Sequence, residues 1–206
     1  MNYVIKQQGE SRSFPPGDPF FGNATADGDI VIHLGTPYEP DPLKVAVLIE
    51  LHTDCLGVHT GESMGQEGSN ALGFARWRNG DDSPSSLIEL VRQPATFTSA
   101  IDAATKIFEA ANFTVAVCAD QAGRIIDRLV RPKLNAALTF LDEGLANATD
   151  MDLTCRLGLG YAEGPIERLA RGGLADHCDV TQALFEVYGT SAYAPARRAL
   201  VAKRQK

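Results

Sequence analysis

The feature that most constrains the fold is a change of hydrophobic period near Asp120. Before this residue, short apolar runs such as DIVIHL at 29–34 and FTVAVCA at 113–119 indicate strands. After it, apolar residues recur every three or four positions and no further strand is predicted. The sequence therefore predicts an α/β lobe over residues 1–120 followed by an all-helical lobe over residues 121–206.

The first lobe contains further predicted strands, at 3–6, 44–51, 71–77 and 87–93. A helix over 97–112 precedes the strand at 113–119, and a right-handed crossover through it makes the last two strands parallel. Residues 8–27 have little propensity for regular structure, and we interpret them as an irregular arm.

Charge and composition exclude several functions. The 206 residues carry a net charge of −7, which disfavours nucleic acids and anionic membranes as partners because both need a basic surface. No apolar run can span a bilayer and the start does not resemble a signal peptide, so we expect a cytoplasmic protein. The spacing of His52, Cys55 and His59 fits no zinc pattern, and no metal is expected.

Two segments of the helical lobe carry a recognisable pattern. Residues 120–137, DQAGRIIDRLVRPKLNAA, are similar to D-x-P-G-F-x-x-N-R-L-x-x-P-x-L-N-E-A, and residues 143–180 match a second pattern through Asp152, Gly164 and Pro165. Both patterns belong to the helical domain of 3-hydroxyacyl-CoA dehydrogenases, which this chain resembles. That resemblance implies a homodimer that pairs through the helical domain.

The resemblance continues more faintly into the first lobe. LIELV at 87–91 resembles the family strand that carries a glutamate of the catalytic centre, and GDIVIHLG at 28–35 resembles an earlier strand. The family's glycine-rich dinucleotide turn has no counterpart in residues 1–27. The expected fold is therefore α/β plus all-α, with a truncated Rossmann-like lobe followed by a helical dimerisation domain.

The resemblance also assigns roles to residues. Glu89 falls on the glutamate of the catalytic centre and Asp127 on an asparagine that contacts substrate, so both are candidate catalytic positions. The family's general base, a histidine, falls on Gly73. With the base and the glycine-rich turn both missing, we expect no bound cofactor and no turnover of 3-hydroxyacyl-CoA by this chain alone. The candidate substrate-binding residues are Asp54, Arg128, Arg131 and Asn135.

Local alternatives remain open for these residues. Glu89 could be a buried strand glutamate paired with an arginine, and Asp127 could form an i,i+4 ion pair with Arg131. Pro132 predicts a first helix that ends near Val130 and then restarts with a kink. The stripe formed by Arg124, Arg128 and Arg131 could recognise an anion such as a CoA phosphate.

Three functions follow. The first is a degenerate family member that still binds a CoA thioester, or that works with a separate NAD-binding chain. The second is a non-catalytic dimerisation scaffold. The third is a different chemistry at a carboxylate group formed by Asp54, Glu89 and Asp127, since neighbouring carboxylates raise one another's pKa. An arginine stripe that faces an open cleft would favour the first, and one covered by a partner subunit would favour the second.

Overall fold

A computed structural model describes residues 1–62, 64–65 and 67–206, and the chain forms two compact units. The first unit comprises residues 1–78 and 84–124, and the second comprises residues 79–83 and 125–206.

The first unit is built on a six-stranded sheet. Its strands lie side by side in chain order and all neighbours are parallel except β4 and β5. The strands are β1 (Tyr3–Gln7), β2 (Ile30–Leu34), β3 (Ala46–Glu50), β4 (Ala71–Arg76), β5 (Leu87–Arg92) and β6 (Thr114–Ala119). The unit also contains two α-helices, α1 (Gly57–Thr60) and α2 (Thr98–Ala110), and a short 3-10 helix at Pro19–Asn23 in the arm. Each predicted strand is present, and β5 and β6 are parallel as the crossover through α2 requires.

The irregular arm packs on the sheet face that also receives α2. Its Phe14 and Phe20 are fully buried and their rings stack at a centroid distance of 4.2 Å. Hydrogen bonds also hold the arm: among them, the Ser11 hydroxyl and the Ser13 N–H both donate to the Glu50 carboxylate, at 2.8 and 2.7 Å. Composition alone predicted an arm without regular structure, but the buried phenylalanines make it part of the core.

The second unit is helical. Its elements are α3 (Ile125–Asp142), α4 (Ala148–Leu159), α5 (Pro165–Gly172), α6 (Leu174–Tyr188) and α7 (Arg197–Gln205). Asp152 of α4 caps the start of α5, because its carboxylate accepts from the N–H groups of Ile166 and Glu167 at 2.8 and 3.0 Å. A Cβ at Gly164 would lie 2.2 Å from the Asp152 carboxyl carbon, so glycine is required beside this cap. The predicted α/β lobe followed by a helical region is confirmed.

Pro132 does not break the helix that contains it. The sequence predicted an end near Val130, yet α3 runs without interruption from Ile125 to Asp142. Proline has no N–H, so the carbonyl of Arg128 loses its helical partner four residues along the chain. The Tyr193 hydroxyl lies 3.4 Å from that carbonyl and supplies a long hydrogen bond in its place. The helix tolerates the proline because a side chain from another element replaces the missing donor.

Among the helices of the residues described, none is both long and apolar enough to cross a membrane. The cytoplasmic location stays a prediction.

Candidate functional site

A chain of buried polar side chains runs through the second unit. On α3, the Arg131 guanidinium donates through Nε to the Asp127 carboxylate at 2.8 Å, so the i,i+4 pair proposed from the sequence exists. The same guanidinium lies with Nη1 3.3 Å from Nδ1 of His177 on α6. His177 Nε2 lies 2.8 Å from Oδ1 of Asn135, whose amide nitrogen donates to two backbone carbonyls beyond α6, at 3.1 Å each.

These contacts indicate which ring nitrogen of His177 carries the hydrogen. Because a guanidinium can only donate, Nδ1 must be the unprotonated nitrogen, and Nε2 therefore carries the hydrogen and donates to Asn135. His177 is only 1% exposed, and burial, reinforced by the Arg131 charge, lowers its pKa to about 3. The imidazole is neutral at physiological pH, and every member of the chain has a matched donor or acceptor.

The arginine stripe does not present a row of open cations. Arg131 is buried in the polar chain just described, and Arg124 is buried with Nη2 donating to the carbonyls of Asp54 and Gln121. Arg128 is half-buried, with its guanidinium 4.5 Å from the centre of the Tyr188 ring. Substrate binding by Arg128, Arg131 and Asn135 therefore stays a prediction, whereas their packing role is visible.

The other candidate residues lie in the first unit. Glu89 is central in β5, between Ala75 and Ala116, and 2% exposed, as expected of a buried strand glutamate. Asp54 is exposed in the loop after β3. At Gly73, a Cβ would lie 2.2 Å from Leu51 Cδ1, so the leucine side chain occupies the space that a histidine at this position would need. The catalytic roles of Glu89 and Asp127 stay predictions.

The second unit also contains a pocket of about 320 Å³. Its lining comes from α3, from the α4–α5 connection and from α5: Val130, Lys133, Leu134, Gly160, Tyr161, Ala162, Glu163, Pro165 and Arg168. Most of these groups are apolar, and Val130 and Leu134 share one face of α3 at a spacing of four residues. The volume falls at the lower end of the range for small-molecule sites.

Sequence reasoning missed the pocket and His177. Lys133 and Tyr161 lie within the two matched segments, but those patterns give no sign that the residues meet. The matched patterns assign no role to His177. On α6, His177 is four residues from Thr181, whose hydroxyl donates to the His177 carbonyl. This spacing could have indicated an inward-facing polar stripe.

Comparisons with known proteins agree with this architecture. The structure of (S)-3-hydroxybutyryl-CoA dehydrogenase PaaH1 from Ralstonia eutropha superposes with a TM-score of 0.68 at 20% identity, covering 84% of this chain and 64% of that one. M. tuberculosis FadB2 gives a TM-score of 0.72 at 20% identity, covering 87% and 67%. These likenesses define the fold, an α/β lobe joined to a helical domain.

Sequence similarity identifies the domain type of the helical region. Residues 123–205 match the C-terminal domain of 3-hydroxyacyl-CoA dehydrogenases. A 3-hydroxybutyryl-CoA dehydrogenase of Bradyrhizobium diazoefficiens is 31% identical over 109 residues, which are 53% of this chain and 37% of that relative. The helical region of the chain is therefore similar to the C-terminal domain of 3-hydroxyacyl-CoA dehydrogenases. The match spans little more than a third of that curated relative.

Similarity to the 3-hydroxyacyl-CoA dehydrogenases corrects the expectation that no cofactor is used. The members of this family are NAD-dependent dehydrogenases, so the missing glycine-rich motif does not justify a cofactor-free assignment. A pyrophosphate is usually bound at the N-terminus of the helix that follows a parallel strand. In this chain, the parallel strand β1 is followed by the arm instead. The Ser13 N–H in that arm is already donated to Glu50. The arm does not fit the usual cradle.

Proposed function

We propose that this chain binds a CoA thioester in acyl-CoA metabolism, with the acyl group in the pocket of the second unit. The observation that carries the proposal is the pocket itself, whose apolar lining suits a short hydrocarbon chain. The polar chain from Asp127 to Asn135 supports the proposal, because its contacts hold α3 against α6. Helix α3 supplies Val130 and Leu134 to the pocket.

Calorimetry with butyryl-CoA tests this proposal. We expect saturable binding to the wild type and a loss of affinity of at least about tenfold in Ala162→Trp, because an indole would fill the pocket. Ala162 is exposed, so the change does not disturb the core. Ala136→Trp, on an exposed position of α3 outside the pocket lining, is the matched control and should bind like the wild type. Equal affinities in all three proteins, or no binding by the wild type, would contradict the proposal.

We also propose that the chain alone does not oxidise a 3-hydroxyacyl-CoA. A hydride transfer from carbon needs a base for the hydroxyl proton, and Leu51 occupies the space beside Gly73 where the family has its histidine. With saturating NAD and 3-hydroxybutyryl-CoA, we expect no NADH absorbance above that of a Glu89→Ala, Asp127→Ala double variant. A wild-type rate clearly above this background would refute this part of the proposal.

A homodimer through the helical unit is the second proposal. The outer face of α4 carries Leu153 and Leu157 at a spacing of four residues, 49% and 79% exposed. A second copy is the partner that the family resemblance implies, and the same face on each copy can pair about a two-fold axis. The non-catalytic scaffold alternative also requires this dimer, but it predicts that butyryl-CoA does not bind.

Leu157→Glu is expected to convert the dimer to a monomer, because the two-fold axis would bring two buried carboxylates near each other. Light scattering after size exclusion at micromolar concentration gives the mass. Leu43→Glu, at a 93% exposed position of the first unit, is the control and should remain dimeric. A monomeric wild type, or a dimeric Leu157→Glu, is the contrary result.

A further inference from the structure

The pocket of the second unit carries a local positive charge in an acidic protein. The chain has a net charge of −7, yet the pocket lining contains two cations, Lys133 and Arg168, and a single carboxylate, Glu163. That carboxylate is already engaged by Arg168 at 3.1 Å and by Arg171 at 2.6 and 3.0 Å. Its negative charge is therefore offset by neighbouring guanidinium groups, and the lining favours an anion.

Lys133 is the cation available to such an anion. Within the part of the chain that the structure describes, its recorded close contact is with a ring and not with a carboxylate: Nζ lies 5.4 Å from the centre of Tyr161. On α3, Lys133 is three residues from Val130 and adjacent to Leu134, so an ammonium group stands beside the apolar lining.

We propose that the pocket selects an acyl group that ends in a carboxylate, with Lys133 as the residue that binds it. This inference rests on the proposed binding of a CoA thioester and names the class of acyl group. The hydrocarbon part lies against Val130, Leu134 and Pro165, while the terminal carboxylate accepts from Lys133 Nζ. The volume of about 320 Å³ restricts the chain to a short one, so the ligand class is a short dicarboxylic monothioester.

Hexanoyl-CoA and adipoyl-CoA test the proposal, since they have the same number of acyl carbons and differ at the chain end. By calorimetry at low salt, the wild type should bind adipoyl-CoA about tenfold more tightly. Lys133→Met should remove this preference, so that the two thioesters bind with equal affinity, whereas Lys133→Arg should keep the preference. Lys106→Met, at an exposed position of α2, is the matched control and should behave like the wild type.

The outcomes distinguish the carboxylate assignment from the proposed CoA-thioester binding. Equal affinities of the wild type for the two thioesters, or a preference that survives Lys133→Met, would overturn the carboxylate assignment and leave the proposed CoA-thioester binding intact. Absence of binding for both thioesters would overturn the two together. Circular dichroism of the variants checks the fold, which an exposed lysine is not expected to control.

Discussion

Replacing His177 with leucine is expected to lower the free energy of unfolding of the helical unit by about 3 kcal/mol. Leucine fills a similar volume but leaves Oδ1 of Asn135 and Nη1 of Arg131 without their shared partner, and both residues are buried. An unsatisfied buried polar group costs more than a hydrogen bond contributes when it is formed. Urea unfolding followed by far-UV circular dichroism measures the change.

His52→Leu is the matched control for this experiment. His52 is exposed in the first unit, so its replacement should change the stability by about 0.5 kcal/mol or less. A His177→Leu protein as stable as this control would show that the polar chain does not hold the helices together.

Acidification is expected to destabilise the helical unit through the same histidine. In the folded protein the pKa of His177 is lowered to about 3, whereas an unfolded histidine titrates near 6.5. Between these values the unfolded chain binds a proton that the folded chain excludes, so stability is complete above about pH 6.5 and falls as the pH decreases toward 3. At pH 4.5 the loss from this group amounts to about 3 kcal/mol.

The comparison with His177→Gln isolates this contribution, because glutamine can still donate to Asn135 and does not titrate. The groups that face His177 are Arg131 and Asn135 of α3, with Asp127 behind the guanidinium. The difference in unfolding free energy between the two proteins should shrink steadily from pH 6.5 to 4.5. A difference that stays constant over that range would contradict a buried neutral histidine.

The sequence predicted those elements that have a clear local period. Each strand of the first unit is a short apolar run, and in the second unit α4 ends at Gly160 and α6 at Gly189. The uninterrupted course of α3 was not predictable, because the hydroxyl that supports the Arg128 carbonyl comes from Tyr193, 65 residues away. Local pattern shows where a proline weakens a helix but not what compensates for it.

The candidate site was less predictable than the fold for the same reason. Asp127 and Arg131 are four residues apart, and their ion pair follows from helical spacing. His177 meets Asn135 across 42 residues, and the pocket forms where α3 approaches the α4–α5 connection. Neither contact leaves a local signal. The expectation of no cofactor was wrong for a different reason: the relatives of the helical region use NAD, and the absence of one motif does not outweigh that similarity.

Methyl NMR tests directly whether the helical unit binds a CoA thioester in its pocket. With the methyl groups of Val130, Leu134 and Leu200 labelled and assigned, butyryl-CoA is titrated into the full chain. Val130 and Leu134 line the pocket, whereas Leu200 lies on α7 outside its lining. We expect saturable shifts at Val130 and Leu134 and an unchanged Leu200 signal. No shift at the two pocket residues, at concentrations where calorimetry detects binding, would contradict it.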